Sequence, residues 1–115
     1  MPSYFEGVLA VERRRLAGAT VVTASGGIDL ATVRRLRWSL DSVAPGSGPL
    51  ILDLSGVTFF GSVAVSLLIE TVRRARACRI DLRLTCSEHV LRVLEMIGVR
   101  DDLAIHDSLI AALAD

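Results

Sequence analysis

Residues 50–76 have the sequence LILDLSGVTFFGSVAVSLLIETVRRAR, which predicts a strand, a short loop and a helix in direct succession. The near-continuous apolar run at 50–54 is closed by Ser55-Gly56, a pattern typical of a strand covered on both faces in a parallel sheet. Asp53 interrupts this run near its C-terminal end. We therefore expect the other elements of the chain to pack around this strand and helix.

The helix is predicted to begin at Gly61-Ser62, because the glycine provides a hinge and the serine oxygen can accept a hydrogen bond from a free amide of the first turn. Apolar residues then recur at helical spacing: Val65, Leu68, Ile69, Val72 and Ala75. Polar residues collect on the opposite side: Ser62, Ser66, Glu70, Arg73 and Arg74. The first set is expected to be buried and the second to face solvent.

Ser62 has two interpretations. Most serines at the start of a helix only cap it. The functional interpretation is a phosphorylation site, since a phosphate adds about −1.5 to −2 charge at the positive end of the helix dipole and need not unfold the domain. Phosphorylation of Ser62 would then change a surface on which a partner docks and leave the fold intact.

Composition favours one small domain with no general affinity for polyanions. A chain of 115 residues with 51% hydrophobic content can bury roughly two thirds of its unfolded surface. The 13 basic and 13 acidic residues give a formal net charge of zero, which predicts no direct binding to nucleic acid or to anionic membranes. The oligomeric state stays open between a monomer and a weak dimer.

No membrane segment or signal peptide is predicted. The longest apolar stretch, 59–69, is shorter than the roughly 20 residues that span a bilayer. Tyr4, Glu6 and Glu12 interrupt any apolar run at the N-terminus. We therefore expect a cytoplasmic protein that does not insert into membranes.

The side chains available for chemistry argue against an enzyme. Cys78 and Cys86 flank a predicted strand, which would separate their Cα atoms by more than about 20 Å, beyond the roughly 7 Å limit for a disulfide. Neither His89 nor His106 has a serine or cysteine at the spacing of a catalytic elbow. We predict free cysteines, no cofactor and no metal, although Asp29 and Asp53 remain a conceivable metal pair.

The other segments alternate between strand and helix patterns. Strands are predicted at 9–13, 19–24, 79–84 and 103–105, with a turn at Ala17-Gly18 and a stop at 25–27. Helices are predicted at 31–43, from Ser87 to Gly98, and after Asp107-Ser108. The first of these helices has a predicted buried stripe of Leu30, Val33, Leu36 or Arg37, Leu40 and Val43, with Trp38 at its margin. The alternation predicts a single α/β domain, with a mainly parallel mixed sheet of about five strands and about four helices.

In four stretches the sequence resembles the STAS family, specifically the small bacterial anti-sigma-factor antagonists. Residues 27–32 look like the family's Gly-x-Asp-Leu loop, and residues 52–57 look like its central strand. Ser62 falls where the family has its phosphorylatable serine, and residues 93–99 with 105–109 resemble its closing helix, glycine turn and final strand. The likeness covers nearly the whole chain and implies a STAS-like fold.

The resemblance implies a binding protein that is switched by phosphorylation. In that scheme the unmodified protein binds an anti-sigma factor, often a serine kinase, and so frees a sigma factor; phosphorylation by the kinase ends the interaction. The family motif reads Asp-Ser, then Ser, Thr or Ala, then Gly, whereas this chain has Gly61-Ser62-Val63-Ala64. The alternative is a STAS-like scaffold, or a subunit of a signalling or lipid-transport complex, in which Ser62 is never modified.

The expected partner surface lies at one end of the sheet, where open α/β folds place their sites. It comprises Asp29, Ser62, Val63, Ser66 and Leu67, with Asp53 as a weaker member. For Val63 and Leu67 the structural alternative is burial against a neighbouring helix.

Overall fold

A computed structural model describes residues 8–114, which form one sheet and its covering helices. The strands are β1 Leu9–Leu16, β2 Ala19–Ile28, β3 Leu50–Phe60, β4 Leu82–Cys86 and β5 Ile105–His106. The helices are α1 Val33–Asp41, α2 Ser62–Ala77, α3 Glu88–Met96 and α4 Leu109–Ala114, and a single 3₁₀ turn spans Arg100–Asp102. The prediction of an α/β fold with five strands and four helices is confirmed within residues 8–114.

The sheet is mixed, and its strands lie in the order in which they occur along the chain, β1-β2-β3-β4-β5. β1 and β2 form an antiparallel hairpin, while β2, β3, β4 and β5 run parallel to one another. The hairpin turn consists of Ala17 and Gly18, which both have positive φ, 48° and 81°. Paired positive φ values suit the twist of a tight hairpin, so the predicted turn is confirmed.

The two faces of the sheet are covered differently. Helices α1, α2 and α3 pack on the face that carries Val22, Leu52 and Leu84, and together they enclose the main hydrophobic core. The short helix α4 packs on the opposite face, where Ala112 contacts a smaller cluster that includes Val21 and Ile51. β3 is thereby buried on both faces over its first half, which explains the nearly uninterrupted apolar run that begins at Leu50.

Strands β2 and β3 are both longer than predicted. The Gly26-Gly27 pair does not end β2, which continues to Ile28 through a register shift against β3. Likewise Ser55-Gly56 lies inside β3, because the strand continues to Phe60. Both segments keep their ladder pairing, and small residues allow the backbones to approach closely at these irregular points.

The buried face of α2 is rotated from the predicted one. Its buried residues are Ala64, Leu67, Leu68, Thr71 and Ala75, while Val65 and Val72 are half-buried and Ile69 is 38% exposed. Two residues assigned to the α1 region also face solvent more than expected: Leu30 is 78% exposed and Trp38 is 76% exposed.

The predicted starts of the last two helices are confirmed. Ser87 Oγ accepts a hydrogen bond from Val90 N at 3.3 Å, and Ser108 Oγ accepts one from Ala111 N at 3.0 Å. Both cysteines are free thiols, as predicted. Within residues 8–114, none of the helices combines the length and the apolar character needed to cross a bilayer.

Candidate functional site

The C-terminal ends of β2 and β3 meet at one edge of the sheet. Ile28 pairs with Phe60 in the parallel register, and Gly61 N donates a hydrogen bond to Ile28 O at 3.2 Å. The loop that begins at Asp29 and the helix that begins at Ser62 therefore leave the sheet side by side. This juxtaposition was predicted from the parallel strand order, and it places Asp29 and Ser62 at the same end of the molecule.

Ser62 is the first residue of α2, but its side chain does not cap the helix. The N-cap is Gly61, whose backbone is extended and whose carbonyl oxygen accepts hydrogen bonds from Ala64 N at 3.0 Å and Val65 N at 3.1 Å. Ser62 is exposed, and within residues 8–114 its hydroxyl makes no hydrogen bond. The capping interpretation is therefore wrong, and the hydroxyl is accessible at the start of the helix.

The helix start also leaves two backbone donors free. Of the first four amides of α2, those of Ala64 and Val65 donate to Gly61, whereas those of Ser62 and Val63 have no acceptor within residues 8–114. Free amides at a helix N-terminus favour negative charge. A phosphate on Ser62 would consequently lie beside two unpaired donors and the positive end of the α2 dipole.

The neighbouring positions on α2 differ in exposure. Ser66 lies one turn after Ser62 and is exposed, so both hydroxyl groups are presented on the same side of the helix. Val63 is partly buried and packs against the main core. Leu67 is only 2% exposed and belongs to that core. The prediction that Leu67 contributes to a partner surface is thus contradicted, and burial is its observed role.

Asp29 organises the turn that leads into α1. Its Oδ1 accepts hydrogen bonds from Ala31 N at 2.9 Å and from Thr32 N at 3.1 Å, and Asp29 N donates to Thr32 Oγ1 at 3.0 Å. Thr32 Oγ1 also donates to Gly27 O at 2.8 Å, which ties the turn to the end of β2. These reciprocal bonds resemble a capping box. Asp29 therefore holds the shape of this edge, and it is half-buried there.

Asp53 does not belong to this edge. β3 continues for seven residues beyond it to Phe60, a separation of about 23 Å along an extended strand. Its side chain is 8% exposed and lies among polar residues in the middle of the sheet. The prediction that Asp53 joins the partner surface fails because Ser55-Gly56 was taken for the end of the strand.

The Asp53 carboxylate is held by hydrogen bonds. Oδ1 accepts from Ser55 Oγ at 2.6 Å, from Thr85 Oγ1 at 2.7 Å and from Ser55 N at 3.1 Å. Burial by itself raises the pKa of Asp53, but the hydrogen bonds from Ser55 and Thr85, helped by the charge of Arg14, outweigh burial and leave the pKa below its ordinary value. Asp53 is therefore an ionised cross-link between β3 and β4.

Phe59 is a surface residue that sequence reasoning did not single out. Its side chain is 51% exposed, and its ring stacks on His89 of α3 with a centroid separation of 6.2 Å. A Cβ atom at position 61 would lie 3.0 Å from Phe59 Cε2 and 3.3 Å from Cζ. The ring thus lies beside Gly61, the residue that precedes Ser62.

Leu30 extends the apolar surface on the other side of the same edge. It follows Asp29, and with Phe59 it gives this end of the sheet two large exposed apolar side chains. Strand alternation offered one signal for Phe59, since Phe59 and Phe60 are adjacent in β3 and only one of them can face the core.

His89 Nε2 is buried and has no hydrogen-bond partner within residues 8–114. In the same part of the chain no group of three or more His, Cys, Asp and Glu side chains is arranged to hold a metal ion.

Comparison with known proteins identifies close similarity to one family. Residues 10–112 match the STAS domain family. Osmosensory protein A of Mycobacterium tuberculosis H37Rv is 34% identical over 91 residues, which make up 79% of this chain and 56% of that protein. The anti-sigma-F factor antagonist RsfA of M. tuberculosis is 30% identical over 100 residues, which make up 84% of this chain and 78% of RsfA. The chain therefore spans little more than half of the first relative and about three quarters of the second.

The fold agrees with that of a solved structure. The crystal structure of an anti-sigma factor antagonist from Mycobacterium paratuberculosis has a TM-score of 0.79 with this chain and covers 94% of it, while this chain covers 96% of that structure. The sequence identity is 23%. The two chains thus share a complete fold despite limited sequence identity.

Proposed function

The chain belongs to the STAS domain family, and on that premise we propose that it is an anti-sigma-factor antagonist, a binding protein that occupies an anti-sigma factor and so frees a sigma factor for transcription. The relatives named as anti-sigma factor antagonists support this proposal. In this role the protein acts in the cytoplasm as a regulator and not as a catalyst. It binds as a monomer or a weak dimer.

The observation that carries the proposal is the exposed Ser62 hydroxyl, which is free of capping bonds at the start of α2. It lies beside exposed apolar side chains, Leu30 and Phe59, at the same edge of the sheet. Apolar anchors surrounded by polar groups are typical of protein interfaces. We therefore place the partner contact on Ser62, Val63 and Ser66, joined by Leu30 and Phe59.

The finer proposal is that the partner is a serine kinase and that it phosphorylates Ser62. A phosphate of about −1.5 to −2 charge is compatible with the helix start, because the free amides of Ser62 and Val63 can donate hydrogen bonds to it without unfolding α2. The same charge is costly in an interface with apolar neighbours, since a buried unpaired charge is strongly unfavourable. Phosphorylation would therefore release the partner while the antagonist stays folded.

The test begins with affinity capture of the unmodified protein from its native cells. An anti-sigma factor should be captured together with it. Calorimetric titration of that factor with Ser62→Asp should show at least about a tenfold loss of affinity, about 1.4 kcal/mol. The matched control is Ser62→Asn, which has nearly the same shape without the charge and should keep most of the affinity. Equal affinities for the wild type and Ser62→Asp would refute the switch, and no mass increase with kinase and ATP would refute the modification.

One observation favours the alternative of a STAS-like scaffold, or a subunit of a signalling or lipid-transport complex, in which Ser62 is not modified. The residue before Ser62 is Gly61, and the Phe59 ring occupies the space beside it where a side chain would stand. Position 61 therefore provides no carboxylate that could contact a kinase-bound metal. In this case capture would yield a membrane-associated or scaffold partner, and Ser62→Asp would weaken binding no more than Ser66→Asp.

A further inference from the structure

A broad groove runs between β1 and α1, and neither Ser62 nor Val63 lines it. It has a volume of about 970 Å³. Leu9, Ala10 and Val11 of β1 contribute one wall of the groove, and Trp38 and Ser39 of α1 contribute the other. Since β1 is an outer strand of the sheet formed by residues 8–114, the groove follows a sheet edge that is unpaired within those residues.

The backbone of β1 is available for pairing along this groove. Gly27 N donates to Val8 O at 3.1 Å, and the hairpin register continues with Leu9 opposite Gly26. Antiparallel pairing alternates, so the backbone groups of Leu9, Val11 and Arg13 face away from β2. Leu9 O accepts from Arg35 Nη1 at 2.5 Å. Within residues 8–114, the outward backbone groups of Val11 and Arg13 have no hydrogen-bond partner.

The groove is positively charged. Arg13, Arg34 and Arg35 line it, and none of the lining residues within 8–114 is acidic. Arg13 donates to Ser42 Oγ and Arg35 donates to Leu9 O, which are both neutral acceptors. Arg34 makes no hydrogen bond or ion pair within residues 8–114. Within residues 8–114, three guanidinium groups therefore line the groove and no carboxylate lines it.

We propose that this groove binds an extended, acidic segment of a partner protein, which adds to the sheet as a strand beside β1. The backbone groups of Val11 and Arg13 would supply the pairing, and carboxylates at alternate positions of the segment would meet Arg34 and Arg35. A second copy of this chain fits the edge less well, because a symmetric contact between two β1 edges would place the Arg13, Arg34 and Arg35 groups of one copy beside those of the other. This inference does not depend on the role of Ser62.

The fluorescence of Trp38 can report binding in the groove, because Trp38 is the only tryptophan in the chain and it lines the groove. The probe is an acetylated and amidated eight-residue peptide in which Val and Glu alternate. Titration of the full chain should give a saturable change in Trp38 emission, with amide shifts concentrated at Leu9–Arg13 in NMR spectra. A peptide of alternating Val and Lys should give neither, and added salt should weaken the binding of the acidic peptide.

Matched variants separate charge from pairing. Arg34→Glu should weaken peptide binding at least about tenfold, about 1.4 kcal/mol, whereas Arg73→Glu, at another exposed helix arginine outside the groove, should leave it within about twofold. Val11→Pro removes an outward N–H on an edge strand and should abolish binding while thermal unfolding shows a folded protein. An acidic peptide N-methylated at its central residues serves the same purpose should Val11→Pro fail to fold.

Several results would overturn the proposal. A Trp38 signal that does not change up to millimolar acidic peptide would exclude the site. Equal binding of the N-methylated peptide would show attraction by charge alone, without strand addition. A dimer seen by sedimentation without peptide, and lost in Val11→Pro, would assign the edge to a second copy of the chain.

Discussion

Asp53 is a buried carboxylate whose ionisation is coupled to folding. Its folded-state pKa is lowered, so its contribution to stability is present above the unfolded-state pKa, near 3.8, and is lost as the pH falls through the folded-state value. Asp53→Asn keeps the shape but removes the charge from the bonds to Ser55 and Thr85. We expect it to lower the free energy of unfolding by about 1–3 kcal/mol at pH 7 in urea denaturation.

The pH dependence distinguishes this role from a general packing effect. The stability gap between the wild type and Asp53→Asn should narrow as the pH falls below 3.8, because the wild-type carboxyl then also becomes neutral. Asp101→Asn, at an exposed position, serves as the control and should change stability by less than about 0.5 kcal/mol. A gap that is the same at pH 7 and pH 3 would contradict the assignment of a charged cross-link.

Gly61 and Phe59 are coupled by contact. Asp is a somewhat better N-cap than Gly, by a few tenths of a kcal/mol, but its Cβ would crowd the Phe59 ring at 3.0 Å. We therefore expect Gly61→Asp to be more stabilising in the Phe59→Ala background than in the wild type, with a coupling energy of about 0.5–1 kcal/mol in a double-mutant cycle. Gly61→Ala in both backgrounds isolates the crowding from the carboxylate. Strict additivity would show that the ring moves aside without cost.

The predicted site residues on α2 differ in whether their exposure could be predicted from the sequence. Ser62 and Ser66 are exposed, as the helical spacing indicated. Leu67 was misplaced because α2 is apolar on more than one side, and only tertiary packing decides which side faces the sheet. Leu30 was not a predicted site residue but was expected in the buried stripe of α1. It is exposed because the turn held by Asp29 delays the start of α1 until Val33.

At the level of elements, the sequence predicted the type and order of the strands and helices but not the lengths of the two central strands. Gly26 and Gly56 resemble turn signals, yet both lie inside strands where a Cβ would collide with a neighbour: 2.4 Å from Val8 O at position 26, and 2.6 Å from Ser25 Oγ at position 56. A glycine required by close backbone approach cannot be told from a turn glycine without the neighbouring strand.

Helix α3 is anchored to the sheet by its N-cap. Ser87 Oγ accepts from Val90 N and also donates to Val57 O at 2.7 Å, so one hydroxyl both caps α3 and joins it to β3. Ser87→Ala should lower the free energy of unfolding by about 1–2 kcal/mol in chemical denaturation. Ser108→Ala is the matched control, since that hydroxyl caps α4 without a comparable bond to the sheet, and it should cost less. Equal losses would mean that the Val57 bond adds nothing.

For the whole molecule, the alternation of strands and helices was sufficient to predict a mixed sheet, because parallel neighbours require helical crossovers. The face that each helix covers could not be predicted without the strand order. With the observed order, right-handed crossovers put α1, α2 and α3 on the same face of the sheet. The short α4 then covers the opposite face. The site edge follows from the same order, because β2 and β3 are parallel neighbours whose ends coincide.

The reactivity of Cys86, at the end of β4, can show whether β4 opens locally or only when the whole domain unfolds. Burial is the main reason that its pKa is raised from 9.0 to about 11, so at pH 8 only about one thiol in a thousand is ionised in the folded protein, against about one in ten when unfolded. In a Cys78→Ser variant, alkylation of Cys86 by iodoacetamide should therefore be about a hundredfold slower, or more, in the native protein than in urea. If β4 opens only with the whole domain, the native rate should rise with urea as steeply as global unfolding measured by circular dichroism. A fast native rate that is independent of urea would instead show that the end of β4 opens locally.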